Sequence, residues 1–239
     1  MDKIAVLGAG AWGTALARLL AERGRVALWT WQGEHASALV FDRENRSFLP
    51  GYALSDQVEP TADMAEAVAG AAIVVVAVPS EAVRATLAAA APQLSPDATL
   101  VVVAKGIEPT TLMLLSEVTS DVLGPAVAAH AVFLSGPSFA IEVARGLPTN
   151  LVAASTSAER SLLVQQRFAS DRGWRVRRLG LRSQHARGLD HARVSRNGAF
   201  GRGEGGPCAH ALGPGGPGGP GADVLGGAVA QSHGGLRAG

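Results

Sequence analysis

Gly8, Gly10 and Gly13 stand two and then three residues apart in the run LGAGAWGTA (7–15), straight after the apolar stretch Ile4–Leu7. That spacing suits a turn between a strand and a helix. Gly8 makes the tight turn, Gly10 lets a diphosphate approach the backbone, and Gly13 lets the helix pack close to the strand. A phosphate seated there meets unpaired backbone N–H groups and the positive end of the helix. The chemistry this implies is dinucleotide binding; the other reading is a turn whose glycines serve packing alone.

Further candidates close later apolar runs. In AKG (104–106), Lys105 falls at the carboxyl edge of a strand. The chain has only two lysines, and the other, Lys3, begins the first strand at the opposite edge. A lysine at a carboxyl-edge crevice holds a phosphate or polarises a carbonyl, and otherwise it is simply solvated. In AVPS (77–80), Pro79 turns the chain out at that edge and Ser80 caps the helix that follows. In LSGPSFAIEVARGLPT (134–149), Ser135, Gly136 and Pro137 form a turn and Ser138 caps a helix over Phe139–Ala144. Free N–H groups and a hydroxyl at that helix start suit a small phosphate or polyol. Glu142 serves electrostatics or is solvated, and Arg145 binds an anion or lies on the surface. In LWTWQGEH (28–35) no acid follows Trp29 directly, Glu34 comes late and Arg25 precedes the strand. A ribose 2′-hydroxyl is therefore not claimed in the usual way, and NAD and NADP both stay open. Trp31 and Gln32 face the adenosine end, or Trp31 is a surface or packing aromatic.

Strands alternating with helices position these residues. Ile4–Leu7, Val26–Trp29, Ile73–Val78, Leu100–Ala104, Val132–Leu134, Leu151–Ala154 and Trp174–Val176 read as strands. Gly13–Arg23, Ala62–Val68 (capped by Thr61), Ser80–Ala91, Thr110–Leu123 and Ala158–Phe168 read as helices. The near-continuous β-branched run Ile73–Val78 marks a central parallel strand buried on both faces. The fold class is α/β: a Rossmann-like parallel sheet with helices on both faces, spanning residues 1–180.

The character changes near Gly180. Residues 181–239 hold 17 of the 30 glycines, four of the six histidines and no lysine. Ordering such a backbone is costly, so a Gly/Pro/Arg-rich, largely disordered tail is expected. His185, His191, His210 and His233 lack metal-ligand spacing, and no metal site is expected. A shifted reading frame in a GC-rich gene would produce such an end, which the coding DNA would decide. The formal net charge of +1 draws in neither nucleic acid nor an anionic membrane. The single cysteine, Cys208, excludes an intramolecular disulfide and fits a reducing compartment. Apolar runs are too short to span a bilayer and no signal peptide opens the chain, so a cytoplasmic protein is expected.

GAGAWGTALA (8–17), LWTW (28–31), SFLPG (47–51), AVPS (77–80), AKGIE (104–108) and SGPSFAIEVARGLPT (135–149) together resemble the bacterial NAD(P)-dependent glycerol-3-phosphate dehydrogenases over nearly all of residues 3–178. The resemblance implies reversible reduction of dihydroxyacetone phosphate to sn-glycerol 3-phosphate, which feeds phospholipid synthesis in the cytoplasm. It implies cofactor contacts at Gly8, Gly10, Ala11, Trp12, Gly13, Trp31, Pro79, Lys105 and Ala140. It implies substrate contacts at Lys105, Gly136 and Ser138. Members of that family continue into a helical substrate domain, where a VGVELGGALKN-like segment carries a lysine that donates or accepts the proton. Here LRSQHARGLDHARVSRNG stands in its place, and no lysine follows Lys105. Impaired turnover is therefore expected, the alternative being an inactive dinucleotide-binding module. The sheet edge that would meet a helical domain would be bare apolar surface, which favours self-association.

Overall fold

The computed structural model of the protein describes residues 2–169 and 175–180. The chain runs through β1 (Lys3–Leu7), α1 (Ala11–Leu20), β2 (Val26–Trp29) and α2 (Gly33–Asp42). A small hairpin of β3 (Glu44–Asn45) and β4 (Leu49–Ala53) follows, then β5 (Val58–Thr61), α3 (Met64–Val68) and β6 (Ala71–Val76). Next come α4 (Val83–Ala90), β7 (Thr99–Val102), α5 (Leu115–Ala128), β8 (Ala131–Ser135) and α6 (Ala140–Ala144). β9 (Asn150–Ser155), α7 (Ala158–Phe168) and β10 (Arg175–Gly180) complete the described chain.

Eight strands form one sheet in the order β10-β9-β8-β7-β6-β1-β2-β5. From β5 across to β8 every neighbouring pair is parallel. Strand order reverses between β1 and β6. A crevice forms outside the carboxyl ends of the strands at such a switch point, and there the glycine turn lies. The strands read as unbroken apolar runs because both faces are covered. Ile4, Val6, Ile73, Val75 and Val101 join the core under α1 and α7. Their neighbours Ala5, Leu7, Val74, Val76, Leu100 and Val102 join the opposite core under α4 and α5. Each such buried Val, Leu or Ile side chain stabilises the fold by about 1.5–3 kcal/mol.

The structure departs from the sequence reading in several places. The sheet is not wholly parallel: β9 runs antiparallel to β8, pairing Phe133 with Ala154 and Ser135 with Val152, and β10 then runs parallel to β9. The connection from β8 to β9 contains only the five-residue α6. β9 starts at the same carboxyl edge at which β8 ends, so the chain re-enters the sheet without crossing back. Asp63, not Thr61, caps α3, accepting from the N–H groups of Ala65 and Glu66 at 2.8 and 3.1 Å. Thr61 ends β5 and its hydroxyl donates to Glu66 Oε2 at 2.7 Å. Neither Ser80 nor Ser138 caps a helix: Pro79 and Phe139 occupy those positions, without a side-chain cap. β6 ends at Val76, so Ala77–Pro79 are free to form a loop. Trp174, at the head of the last expected strand, and the tail from residue 181 lie outside the described residues.

The helix expected from Thr110 starts at Leu115, because Glu108 holds residues 108–113 as a closed loop. The Glu108 N–H donates to Met113 O at 3.0 Å and the Leu112 N–H to Glu108 O at 2.9 Å. The Glu108 side chain, 5% exposed, receives the Thr111 hydroxyl and a two-pronged contact from Arg84, Nε to Oε1 at 2.7 Å and Nη2 to Oε2 at 3.1 Å. Arg84 also pairs with Asp121 on α5. The fork ties α4 and α5 to the loop that begins with Lys105. Hydrogen bonds from Arg84, then Thr111, hold the Glu108 carboxyl below the usual carboxylate range. A carboxyl depressed in the fold contributes stability above its unfolded pKa of about 4.3 and loses it as pH falls through the folded value. Thermal midpoints followed by circular dichroism should fall as pH drops from about 5 towards 3. Glu108→Gln should lower the midpoint at pH 7 and flatten that acid limb; an unchanged limb would remove Glu108 from the account.

Candidate functional site

The glycine turn is built as a close approach with one open side. Gly8 has φ +113°, and a Cβ there would lie 2.7 Å from the Ala77 carbonyl oxygen. A Cβ on Gly13 would lie 1.8 Å from the Gly8 carbonyl oxygen, so α1 sits on the turn with no room for a methyl group. Gly10 differs: its φ of −73° is ordinary, and a Cβ would meet nothing within 4 Å. Gly10 is the N-cap of α1 and provides no side-chain cap, which leaves the helix start turned to the cleft with its backbone donors. Ala11 and Trp12 begin that helix, and Trp12 packs half-buried against the core.

The cleft beyond the turn has a volume of about 210 Å³. Gly8, Ala9 and Gly10 form its floor. Ala77, Val78 and Pro79 form one wall, and residues from Trp29 to Gln32 form the other with His35 and Phe48. A wider groove of about 660 Å³ shares Trp31, Gln32, His35 and Phe48 with it and adds Glu34. Trp31 is 77% exposed, so it is not a packing aromatic. Gln32 is the N-cap of α2.

Four polar residues tie this wall to the turn, and no motif in the sequence singled them out. The Thr30 hydroxyl lies 3.2 Å from His35 Nδ1, and His35 Nε2 lies 3.2 Å from Asn45 Oδ1. Asn45 Nδ2 donates to the Ala9 carbonyl at 2.8 Å and to the Thr14 hydroxyl at 2.7 Å. Asn45 is 1% exposed. The one sequence signal that could have flagged it is its place two residues before the SFLPG element, since a buried amide must be fully hydrogen-bonded.

The phosphate-type candidates gather one strand further along. Lys105 Nζ donates to the Gly136 carbonyl at 3.2 Å, joining the ends of β7 and β8. Lys3 is at the opposite edge and donates to the carbonyls of Glu66 and Ala69. Gly106, next to Lys105, faces Ser80, whose Oγ would be 3.5 Å from a Cβ there. Lys105 is therefore beside the loop that carries Pro79 but does not line the cleft itself. Gly136 has its own packing reason: a Cβ would lie 2.6 Å from the Asn150 carbonyl oxygen. Ser138 is half-buried in the turn before α6, and Ala140 opens α6 against the core shared with α1. Arg145 is turned away to Tyr52, Nε to hydroxyl 3.2 Å. Glu142 sits half-buried in the first turn of α6. Phe139, Ile141 and Leu147 around α6 are exposed apolar residues. Among the described residues no group of three or more His, Cys, Asp or Glu could hold a metal, and no helix is long and apolar enough to cross a membrane.

Comparison with known proteins agrees with this geometry. The family described as NAD-dependent glycerol-3-phosphate dehydrogenase N-terminus matches residues 3–161. The glycerol-3-phosphate dehydrogenase [NAD(P)+] of Syntrophomonas wolfei is 47% identical over 169 residues, 70% of this chain and 49% of its own length. That of Moorella thermoacetica is 48% identical over 168 residues, again 70% and 49%. The chain thus spans about half the length of the curated relatives it matches. Among solved structures, glycerol-3-phosphate dehydrogenase from Coxiella burnetii superposes with a TM-score of 0.69 at 31% identity, covering 74% of this chain and 54% of that one. The match runs from the first strand through the glycine turn, Lys105 and the Gly136–Ser138 turn, and the chain belongs to the NAD-dependent glycerol-3-phosphate dehydrogenase N-terminal family.

Proposed function

We propose that this chain binds NAD or NADP in the cleft over the glycine turn and is the cofactor-binding part of a glycerol-3-phosphate dehydrogenase. The observation that carries the reading is Gly10: its missing side chain leaves open space where a diphosphate would meet the N-terminus of α1. Gly8, Gly10, Ala11, Trp12 and Gly13 would hold the diphosphate side. Trp31 would lie along the adenosine side, and Pro79, Lys105 and Ala140 would border the nicotinamide side. The cofactor supplies or takes the hydride. Lys105, Gly136 and Ser138 are assigned to dihydroxyacetone phosphate or glycerol 3-phosphate. There Lys105 offers a positive charge to the phosphate or to the oxygen that becomes negative during reduction. The setting is cytoplasmic supply of a phospholipid precursor.

A second reading, a dinucleotide-binding module with little turnover, is favoured by one fact: no lysine follows Lys105 in these 239 residues. Without a positioned proton donor the rate falls by about 10²–10⁴.

A fluorescence titration separates the two. NADH and NADPH are added to the chain, then dihydroxyacetone phosphate in the same cuvette. Cofactor binding with turnover about 10²–10⁴ below that of a complete relative is expected; turnover equal to the relative's overturns the impaired reading, and no binding of either cofactor overturns both. Lys105→Met should leave NADH affinity within a few-fold while weakening glycerol 3-phosphate binding to the binary complex tenfold or more, from loss of a charged contact of roughly 1.5–3 kcal/mol. Gly10→Ala should unfold like the unsubstituted chain yet bind NADH more weakly. Gly13→Ala, which forces a methyl group into the Gly8 carbonyl, should lose about 3 kcal/mol of stability in urea.

A further inference from the structure

We propose that Asn45 locks the Ala9–Gly10 peptide with its N–H towards the cleft, and so sets dinucleotide affinity without touching the dinucleotide. The ligand rests on the function proposed above; the lock itself rests on geometry alone. The Ala9 carbonyl accepts from Asn45 Nδ2 at 2.8 Å and faces the Thr14 hydroxyl at 3.5 Å. A trans peptide is planar, so its N–H points opposite to its C=O. Asn45 is buried behind the turn and Gly10 lines the cleft. Holding the Ala9 oxygen inward therefore aims the Gly10 N–H outward, at the place where a diphosphate would sit. With the peptide flipped, a carbonyl oxygen would face that anion instead, exchanging a donor for a repulsive dipole.

A lock is needed because of what the close approach demands. Glycine at position 10 leaves the cleft open, but it also has no Cβ to resist the change of φ that a flip requires. The hydrogen bond supplies the restraint that sterics cannot. The Asn45 amide must in turn be kept from rotating by half a turn. Its Oδ1 accepts the Phe48 N–H at 3.2 Å and lies 3.2 Å from His35 Nε2. A carbonyl oxygen only accepts, so His35 carries its proton on Nε2. Nδ1 is then the acceptor for the Thr30 hydroxyl, 3.2 Å away at the end of β2. Donor and acceptor roles thus follow one another from the second strand to the glycine turn. His35 and Asn45 are positioning residues in this arrangement.

Asn45→Asp in the full chain tests the proposal, since it keeps the shape but sets an acceptor against the Ala9 carbonyl. NADH should bind about tenfold to a hundredfold more weakly, with the far-ultraviolet spectrum retained. The Gly10 amide resonance of ¹⁵N-labelled protein should move even without NADH. Ser155→Ala, which removes another buried bond (Ser155 Oγ to Ala131 O, 2.8 Å) on β9, should leave both readouts unchanged. In the unsubstituted protein, long-range ¹H–¹⁵N spectra should show neutral His35 as the Nε2–H tautomer, a check that survives if Asn45→Asp fails to fold. Wild-type NADH affinity in folded Asn45→Asp, or an Nδ1–H tautomer at His35, would overturn the lock. If the unsubstituted chain bound no NADH, the functional reading would fall, and the Gly10 resonance and the His35 tautomer would still decide the lock.

Discussion

The whole cleft depends on the absence of two methyl groups where α1 meets β1 and β6. Gly13 rests against the Gly8 carbonyl at a distance no Cβ tolerates, and Gly8 itself lies against Ala77. Those contacts draw the start of α1 down onto the switch point of the sheet. The end of β6 then turns away at Ala77, and the space between the two strand ends becomes a cleft rather than packed core. The third glycine serves a different end, since nothing in the protein crowds it. One motif thus combines two packing glycines with one left open for a ligand.

Around that contact the molecule is organised in tiers. Two apolar cores, one on each face, fix the central strands. Two polar fasteners then set the loops at the carboxyl edge, where apolar packing runs out. Arg84 and Glu108 shape the loop that begins with Lys105, and Asn45 with His35 ties the second-strand loop to the glycine turn. Both fasteners join groups distant in sequence, and both are shielded from water at their centre. A charged or buried hydrogen bond is worth most in such a place, because an unpaired partner there is costly.

The central strands were legible because burial on both faces leaves no room for polar residues, as in Ile73–Val76. The glycine turn was legible because its spacing is dictated by backbone contact. α2 was not, since it buries only Ala36 and Leu39 while exposing Val40 and Phe41, so its apolar residues follow no single stripe. The β3–β4 hairpin hid behind Pro50 and Gly51, which read as loop. Helix caps failed where a local rule met tertiary demand: Ser138 has the right chemistry for a cap, yet the helix begins two residues later. Asn45 was hard to read for a deeper reason: its amide donates to the Ala9 carbonyl and the Thr14 hydroxyl, groups far back in the chain that only the fold brings near.

The outermost strands carry a further consequence. Among the described residues, β5 (VEPT) and β10 (RVRRLG) border the sheet. Pro60 has no N–H to offer an incoming strand, and Arg175, Arg177 and Arg178 would set like charges against those of a second copy. Among the described residues, growth of the sheet by lateral addition of another chain is discouraged at both borders, which leaves the helical faces and loop surfaces as the ground on which a second copy could pack.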